Sequence, residues 1–253
     1  MAQSGPGKIR LWNDFCGPEI PVANAVAYGT SAGGCNYYIG DFAVRGDLAD
    51  TDAGVVALGV ASGAVRLTGT NEDNLGCALT TDLVFSVPLN GTLVIEARVQ
   101  MQALTARNIF VGFCGTLADN VAPPLVDSSS TVHTLTATDI IGWNFNSIYT
   151  GTSLFWHTVY NGGTLTGATA TSSTVTDVVP VAGEYQVLKI EIDTNGTVRW
   201  FLDGVLKKTL KNAATVTSTD MLAAIVGCFG TTTTITDMDV DYLLVTANRD
   251  WTV

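Results

Sequence analysis

Apolar and polar side chains alternate along most of this chain. The clearest stretch covers residues 185–210, YQVLKIEIDTNGTVRWFLDGVLKKTL. Leu188, Ile190 and Ile192 alternate with Lys189, Glu191 and Asp193, the period of a strand with one dry and one wet face. Asn195-Gly196 supplies residues that accept positive φ and predicts a two-residue hairpin turn. Val198, Trp200 and Leu202 carry the dry face back, and Asp203-Gly204 predicts a second turn. Three strands joined by two tight turns form a meander.

The same period recurs elsewhere. Residues 37–42, 54–60, 64–68 and 81–89 read as strands, with a turn at Ser62-Gly63. In residues 92–101, Leu93, Ile95, Ala97, Val99 and Met101 are expected to face inward, and Glu96, Arg98 and Gln100 outward. Residues 109–116 (IFVGFCGT) and 223–231 (AAIVGCFGT) are continuous apolar runs with a central Gly, the pattern of strands covered on both faces. Residues 139–145, 153–160 and 236–245 complete the set. In the last, Met238, Val240, Tyr242 and Leu244 are expected on one face and Asp237, Asp239 and Asp241 on the other. Pro123-Pro124 and the Ser/Thr run after it predict a long loop. No segment sustains a 3.6-residue stripe, though residues 101–107 and 218–222 could form short helical turns. The fold class expected is all-β, a two-sheet sandwich.

Residues 1–35 break the pattern. They carry Pro6, Pro18 and Pro21 and no clean alternation, so they read as an extended N-terminal arm ahead of a sandwich domain at 36–253. Trp12, Phe15 and Ile20 are the candidate anchors of that arm on a partner. The other reading is that the segment supplies an early strand.

Composition narrows the function. Only 14% of the 253 residues are charged, so the wet faces must be built largely from Thr, Ser, Asn and Gln. The net charge is −11, and Lys207, Lys208 and Lys211 form the one basic cluster. Phosphate neutralisation needs clustered cations, so neither nucleic acid nor an anionic membrane is an expected partner. Cys16, Cys35, Cys77, Cys114 and Cys228 are odd in number and lack CxxC spacing. They read as small buried hydrophobes in a reducing compartment, with a Cys16–Cys35 bridge as the alternative. The N-terminus shows no apolar signal region, which leads to the expectation of a chain that is cytosolic at synthesis, soluble and unprocessed.

Residues 90–101, 185–206 and 236–247 resemble the laminin-G/concanavalin-A-like jelly-roll superfamily, where a strand ending in an aromatic pair runs into a DG turn. More narrowly, WNDFCG near the start, TNEDNLGCAL (70–79) and the stretch 89–113 resemble small jelly-roll proteins that tailed bacteriophages carry among their virion genes. That resemblance implies a non-enzymatic virion structural protein. It would be a capsid decoration protein on the particle surface, made in the host bacterial cytoplasm. It would self-associate, with a trimer favoured, against the major capsid protein or other virion proteins. The alternative is a carbohydrate-binding module or receptor-binding adhesin that recognises surface glycans.

Gly29-Thr30-Ser31-Ala32-Gly33 matches GxSxG but lacks the strand and helix that would strain Ser31 into a nucleophile elbow. Glu191 and Asp193 are similar to the carboxylate row of jelly-roll glucanases, but the third place is Asn195, inside the turn, so no catalytic residue is assigned. Asp47, Asp50 and Asp52, and the row Asp237, Asp239 and Asp241, offer oxygens for a structural calcium, the one cofactor entertained. His133 and His157 lie in different segments without Cys spacing, so no zinc site is expected, and His157 reads as a strand surface residue. Trp143, Trp156 and Tyr160 are the candidate rings for stacking on sugars, with core packing as their other role.

Overall fold

The computed structural model describes residues 7–20, 38–47, 53–129, 132–148, 154–161, 174–175, 178–214 and 216–249. Among them there are eighteen strands and no helix. In chain order these are β1 (Lys8–Asn13), β2 (Tyr38–Ile39), β3 (Phe42–Gly46), β4 (Gly54–Ala57), β5 (Val65–Thr68) and β6 (Gly76–Thr80). Next come β7 (Leu93–Gln100), β8 (Arg107–Cys114), β9 (Leu125–Ser129), β10 (Val132–Leu135), β11 (Ile140–Asn146) and β12 (His157–Tyr160). The last are β13 (Thr174–Val175), β14 (Tyr185–Ile192), β15 (Val198–Leu202), β16 (Val205–Leu210), β17 (Ala223–Gly230) and β18 (Asp237–Asn248).

Two eight-stranded antiparallel sheets enclose the main core. The first runs β16-β15-β14-β7-β18-β5-β4, with β1 added along the C-terminal half of β18. The second runs β13-β12-β11-β8-β17-β6-β3-β2. Their inner faces meet through Leu93, Ile95, Ile190 and Trp200 on one side and Val111, Phe113, Trp143 and Val226 on the other. Indoles tie the layers together. Trp143 in β11 donates from Nε1 to the Lys189 carbonyl of β14 at 3.2 Å, and Trp200 in β15 donates to the Gly142 carbonyl of β11 at 3.0 Å.

The continuous apolar strands β8 and β17 sit side by side at the centre of the second sheet and are buried along their whole length. Their outer face is covered by the segment that read as a long loop. It contains the β9–β10 hairpin and closes a second small core of Phe110, Val121, Leu125, Ile140, Ile225 and Phe229. Asn108 pins this cover by donating to the Leu125 carbonyl at 2.7 Å, and Arg45 pins it by bonding Asp119. Close approach explains a glycine here. A Cβ on Gly112 would lie 2.2 Å from the Ile141 oxygen and 2.5 Å from the Gly142 Cα, backbone atoms of the neighbouring strand that cannot step aside. Gly112→Ala is expected to cost about 2 kcal/mol, read as a lower urea midpoint. An unchanged midpoint would disprove this close packing.

Several expectations need correction. Lys8–Asn13 is not an arm: it pairs in register with β18, from Lys8 opposite Asn248 to Asn13 opposite Leu243. Phe15 and Ile20 are buried in the chain's own core, so they anchor this segment to its own domain and offer nothing to a partner. Residues 21–35, with Cys35 and the GxSxG at Ser31, lie outside the described residues, as do Asp50 and Asp52. Residues 81–89 are not a strand; they hold a single bridge, Phe85 to Leu222. The neighbouring β6 took the sheet position, because residues 76–80 are buried throughout. Asn195-Gly196 does not make a two-residue turn. Only Gly196 has positive φ (77°), and the Asp193 amide donates to Thr197 O, so three residues close the loop with a glycine bulge. Asp203 (49°) and Gly204 (76°) are both left-handed and make the expected two-residue turn.

The largest correction concerns β18. Val240 pairs with Val99 and Tyr242 with Arg98, so Asp241 is an extra residue, a β-bulge. The bulge reverses the side-chain parity. Met238 and Val240 point into the core as expected, but beyond the bulge it is Leu243, Val245 and Ala247 that do, while Tyr242 and Leu244 face outward. A second bulge falls at Lys207, between the pairs Trp200–Lys208 and Phe201–Leu206. It turns Lys208 inward at the sandwich edge, with its ammonium 4.9 Å from the Tyr160 ring centre, and burial lowers its pKa. A bulge and an inward lysine both discourage edge-to-edge pairing along β16.

Cys77, Cys114 and Cys228 are buried thiols, and burial pushes Cys114 and Cys228 up to about 12. Cys16 is exposed. At one end of the sandwich, burial and then the nearby Asp220 charge raise the Asp139 carboxyl above its ordinary 3.8. The folded chain therefore holds that proton more tightly than the unfolded chain. The cost of the ionised carboxylate is absent below 3.8 and complete above the folded pKa. Asp139→Asn is expected to raise the urea midpoint at pH 7, with the gain shrinking as the pH falls toward 3.8. A gain independent of pH would disprove it.

Candidate functional site

The outer face of the second sheet is covered, so the outer face of the first sheet carries the candidate site. The pleat sends every second side chain of β7, β14, β15 and β18 outward there. Pairing sets them in rows. One row crosses five strands: Trp12 of β1 lies opposite Leu244, Leu244 opposite Glu96, Glu96 opposite Lys189, and Lys189 opposite Phe201. The next row places Tyr242 opposite Arg98 and Arg98 opposite Val187. Val187 is joined to the β15–β16 turn, since its amide donates to Asp203 Oδ1 at 2.7 Å.

A cleft of about 440 Å³ opens between these rows, lined by Glu96, Val187, Lys189, Phe201, Asp203 and Gly204. Its polar groups are held in place. The Tyr242 hydroxyl donates to Glu96 Oε1 at 2.8 Å, and both burial and that bond raise the tyrosine pKa. The Lys189 ammonium lies 2.8 Å from Glu191 and 5.4 Å from the Phe201 ring centre. Beside the cleft, Trp12 is 38% exposed and stacks on Tyr242 at 5.2 Å and 26°. The Arg98 guanidinium sits 4.2 Å over the Tyr185 ring and reaches Asp241 at 2.6 Å. Rings held flat by stacking and cation–π contacts, beside fixed carboxylates and cations, suit a ligand with both apolar and hydroxylated faces. A smaller cavity of about 120 Å³, between Thr116, Val121, Pro124 and Ala137, carries no charged side chain.

The rings singled out from sequence for sugar stacking fall elsewhere, whereas Trp12, expected as an anchor on a partner, stands beside the cleft. Trp143 is 0% and Trp156 1% exposed, and both are core rings; Trp156 donates to Gln186 Oε1 at 2.7 Å. Neither can meet a sugar, because both rings are packed in the core between the sheets, Trp143 from β11 and Trp156 from the residue ahead of β12. Tyr160 is half-buried against Trp200 at 6.0 Å. His157 is buried, not a surface residue, and β12 is flanked on both sides by β11 and β13 in the second sheet.

The acidic row of β18 is spent on arginines. Asp237 pairs with Arg107 at 2.5 Å, Asp239 with Arg66 at 2.7 Å, and Asp241 with Arg98. Each carboxylate therefore already has a cationic partner, and no group of residues that could hold a metal occurs among the described residues. Glu191 and Asp193 are likewise engaged, by Lys189 and by Arg199 at 2.5 Å, and Asn195 Oδ1 accepts the Thr197 amide within the turn.

Sequence reasoning missed Phe201, Tyr185 and Tyr242. A signal existed for Phe201, the one aromatic at an outward place in the alternation Val198, Trp200, Leu202. None existed for Tyr242, which the bulge turned round.

No family model matches the chain, and no curated protein matches it in sequence. Solved structures do match in fold. A Shewanella oneidensis MR-1 protein of unknown function aligns over 100% of this chain and 92% of its own, with a TM-score of 0.62 at 12% identity. An endo-acting O-glycanase described in mucin breakdown by human gut microbiota aligns over 94% and 98%, with 0.53 at 12%. The Bacillus licheniformis β-glucanase aligns over 96% and 99%, with 0.52 at 13%. The fold is thus a concanavalin-A-like jelly roll of the β-glucanase type. These neighbours overturn the expectation that the chain is not an enzyme. That expectation came from the likeness to virion proteins and from the missing third carboxylate, whereas the fold itself is one that a β-glucanase and an endo-acting O-glycanase share. None of the three is described as a capsid decoration protein.

Proposed function

We propose that this chain is a glycan-recognition protein that binds an oligosaccharide across the outer face of its first sheet. The observation that carries the reading is the placement of Trp12, Tyr242, Tyr185 and Phe201 on one solvent face around a cleft with fixed hydrogen-bonding groups. A pyranose presents an apolar C–H face to a ring and hydroxyls to its rim, and this face offers a partner for each. From Trp12 to Phe201 the row crosses four strand spacings, roughly 19 Å at about 4.8 Å each, which suits an oligosaccharide over a single sugar. The fold shared with a β-glucanase and an O-glycanase supports the same class of ligand. Affinity electrophoresis of the whole chain through a panel of polysaccharides tests the reading, with the incubated polymers analysed for shortened products. Retardation by at least one polymer is expected; free migration through all of them would end the proposal. Placement on a virion surface rests on the sequence resemblance alone, and mass spectrometry of purified particles tests it.

A further inference from the structure

Resting on that reading, the structure assigns a charge class to the ligand: we propose that the cleft selects a neutral glycan and rejects uronate and sulfated polymers. Three cations stand beside the cleft, and each is already bound to a carboxylate. Lys189 holds Glu191 at 2.8 Å, Arg199 holds Asp193 at 2.5 Å with Glu191 at 3.7 Å, and Arg98 holds Asp241 at 2.6 Å. Two carboxylates remain. Glu96 accepts from Tyr242 and Asp203 from the Val187 amide, and neither is in ion-pair contact with a cation among the described residues. Both line the cleft. Lys8 and Arg10 stand at the β1 edge, away from the cleft, one bonded to Asn248 and the other over the Trp12 ring.

A polymer carrying a charge on each sugar would meet the exposed edges of Glu96 and Asp203. To gain a cation it would have to break one of the three ion pairs. Like-charge contact at such range disfavours the wrong ligand more than any single hydrogen bond favours the right one. A neutral glycan meets no such cost: the carboxylates and the Tyr242 oxygen can accept from its hydroxyls, and the Lys189 ammonium, with three N–H groups, can donate to them. The charge of the whole chain, −11, acts in the same direction at long range.

The test uses the whole chain in about 0.15 M salt, so that diffuse attraction is screened. Neutral glucans, galactans and mannans are compared with alginate, pectate and heparin. Retention by a neutral polymer at least ~10-fold stronger than by any anionic one is expected, a difference of about 1.4 kcal/mol. Equal or stronger retention by an anionic polymer would overturn the charge assignment and leave glycan recognition standing. Retention by none would remove both. Glu191→Gln supplies the second arm, because it releases Lys189 beside the cleft. With its melting temperature checked to show a folded chain, this variant is expected to gain at least ~10-fold in heparin or alginate retention. No gain would show that Glu191 is not what silences the cation, and the assignment would fall.

Discussion

Replacing Arg66 by Met is expected to cost the fold about 3 kcal/mol. The reason lies in Asp239, whose side chain is 2% exposed. Its carboxylate takes Arg66 Nε at 2.7 Å and Nη2 at 3.0 Å, with Gln102 Nε2 at 2.7 Å as the remaining donor. Without the guanidinium, a buried negative charge keeps one neutral amide. The location magnifies the effect. Among the described residues, β5 joins the sheet through four residues of β18 and β4 joins through β5, so the Arg66–Asp239 pair clamps that edge. Arg66→Met should lower the urea midpoint strongly and speed hydrogen exchange in β4 and β5. Adding Asp239→Asn should recover part of the loss, since it removes the stranded charge. A midpoint equal to wild type, or a double variant no better than the single, would show that the pair is not coupled.

Phe201→Ala is expected to weaken polysaccharide retention at least ~10-fold, about 1.4 kcal/mol of binding. Phe201 is half-buried on the outward face of β15, so its removal opens no cavity in the core. It supplies a wall of the cleft and the ring over which Lys189 lies. Trp12→Ala should weaken retention less, because Trp12 stands at the far end of the row, where it stacks on Tyr242 and lies under Arg10, and forms no wall of the cleft. Melting curves taken beside each assay separate a lost contact from a lost fold. Wild-type retention by folded Phe201→Ala would move the ligand off this cleft.

The two outcomes bear on different parts of the molecule, and the sequence spoke to them unequally. The ion pairs of Glu191 with Lys189 and of Asp193 with Arg199 were legible as neighbours on one wet face. The cover over β8 and β17 was announced by apolar runs too long and too continuous for a half-exposed strand. The β9–β10 hairpin that supplies that cover was not legible, because its Ser/Thr residues show no apolar alternation. β1 was legible only as one of two readings, since Pro6 and Pro18 flank it and its own alternation is only six residues long.

By itself, the sequence determined the class of architecture: period-two alternation, the DG turn and the doubly buried runs permit only two sheets over a shared dry interior. These are local signals, and each depends on residues a few positions apart. The tertiary structure alone decided which rings meet solvent. Trp143 and Trp156 turned inward to tie the layers, while one extra residue at Asp241 sent Tyr242 out to Glu96. The cleft draws on three strands and a turn spread from Glu96 to Gly204, and its neighbours reach from Trp12 to Tyr242. No window of sequence contains that meeting, because it is set by strand order and register, which the chain acquires only when the sheets close.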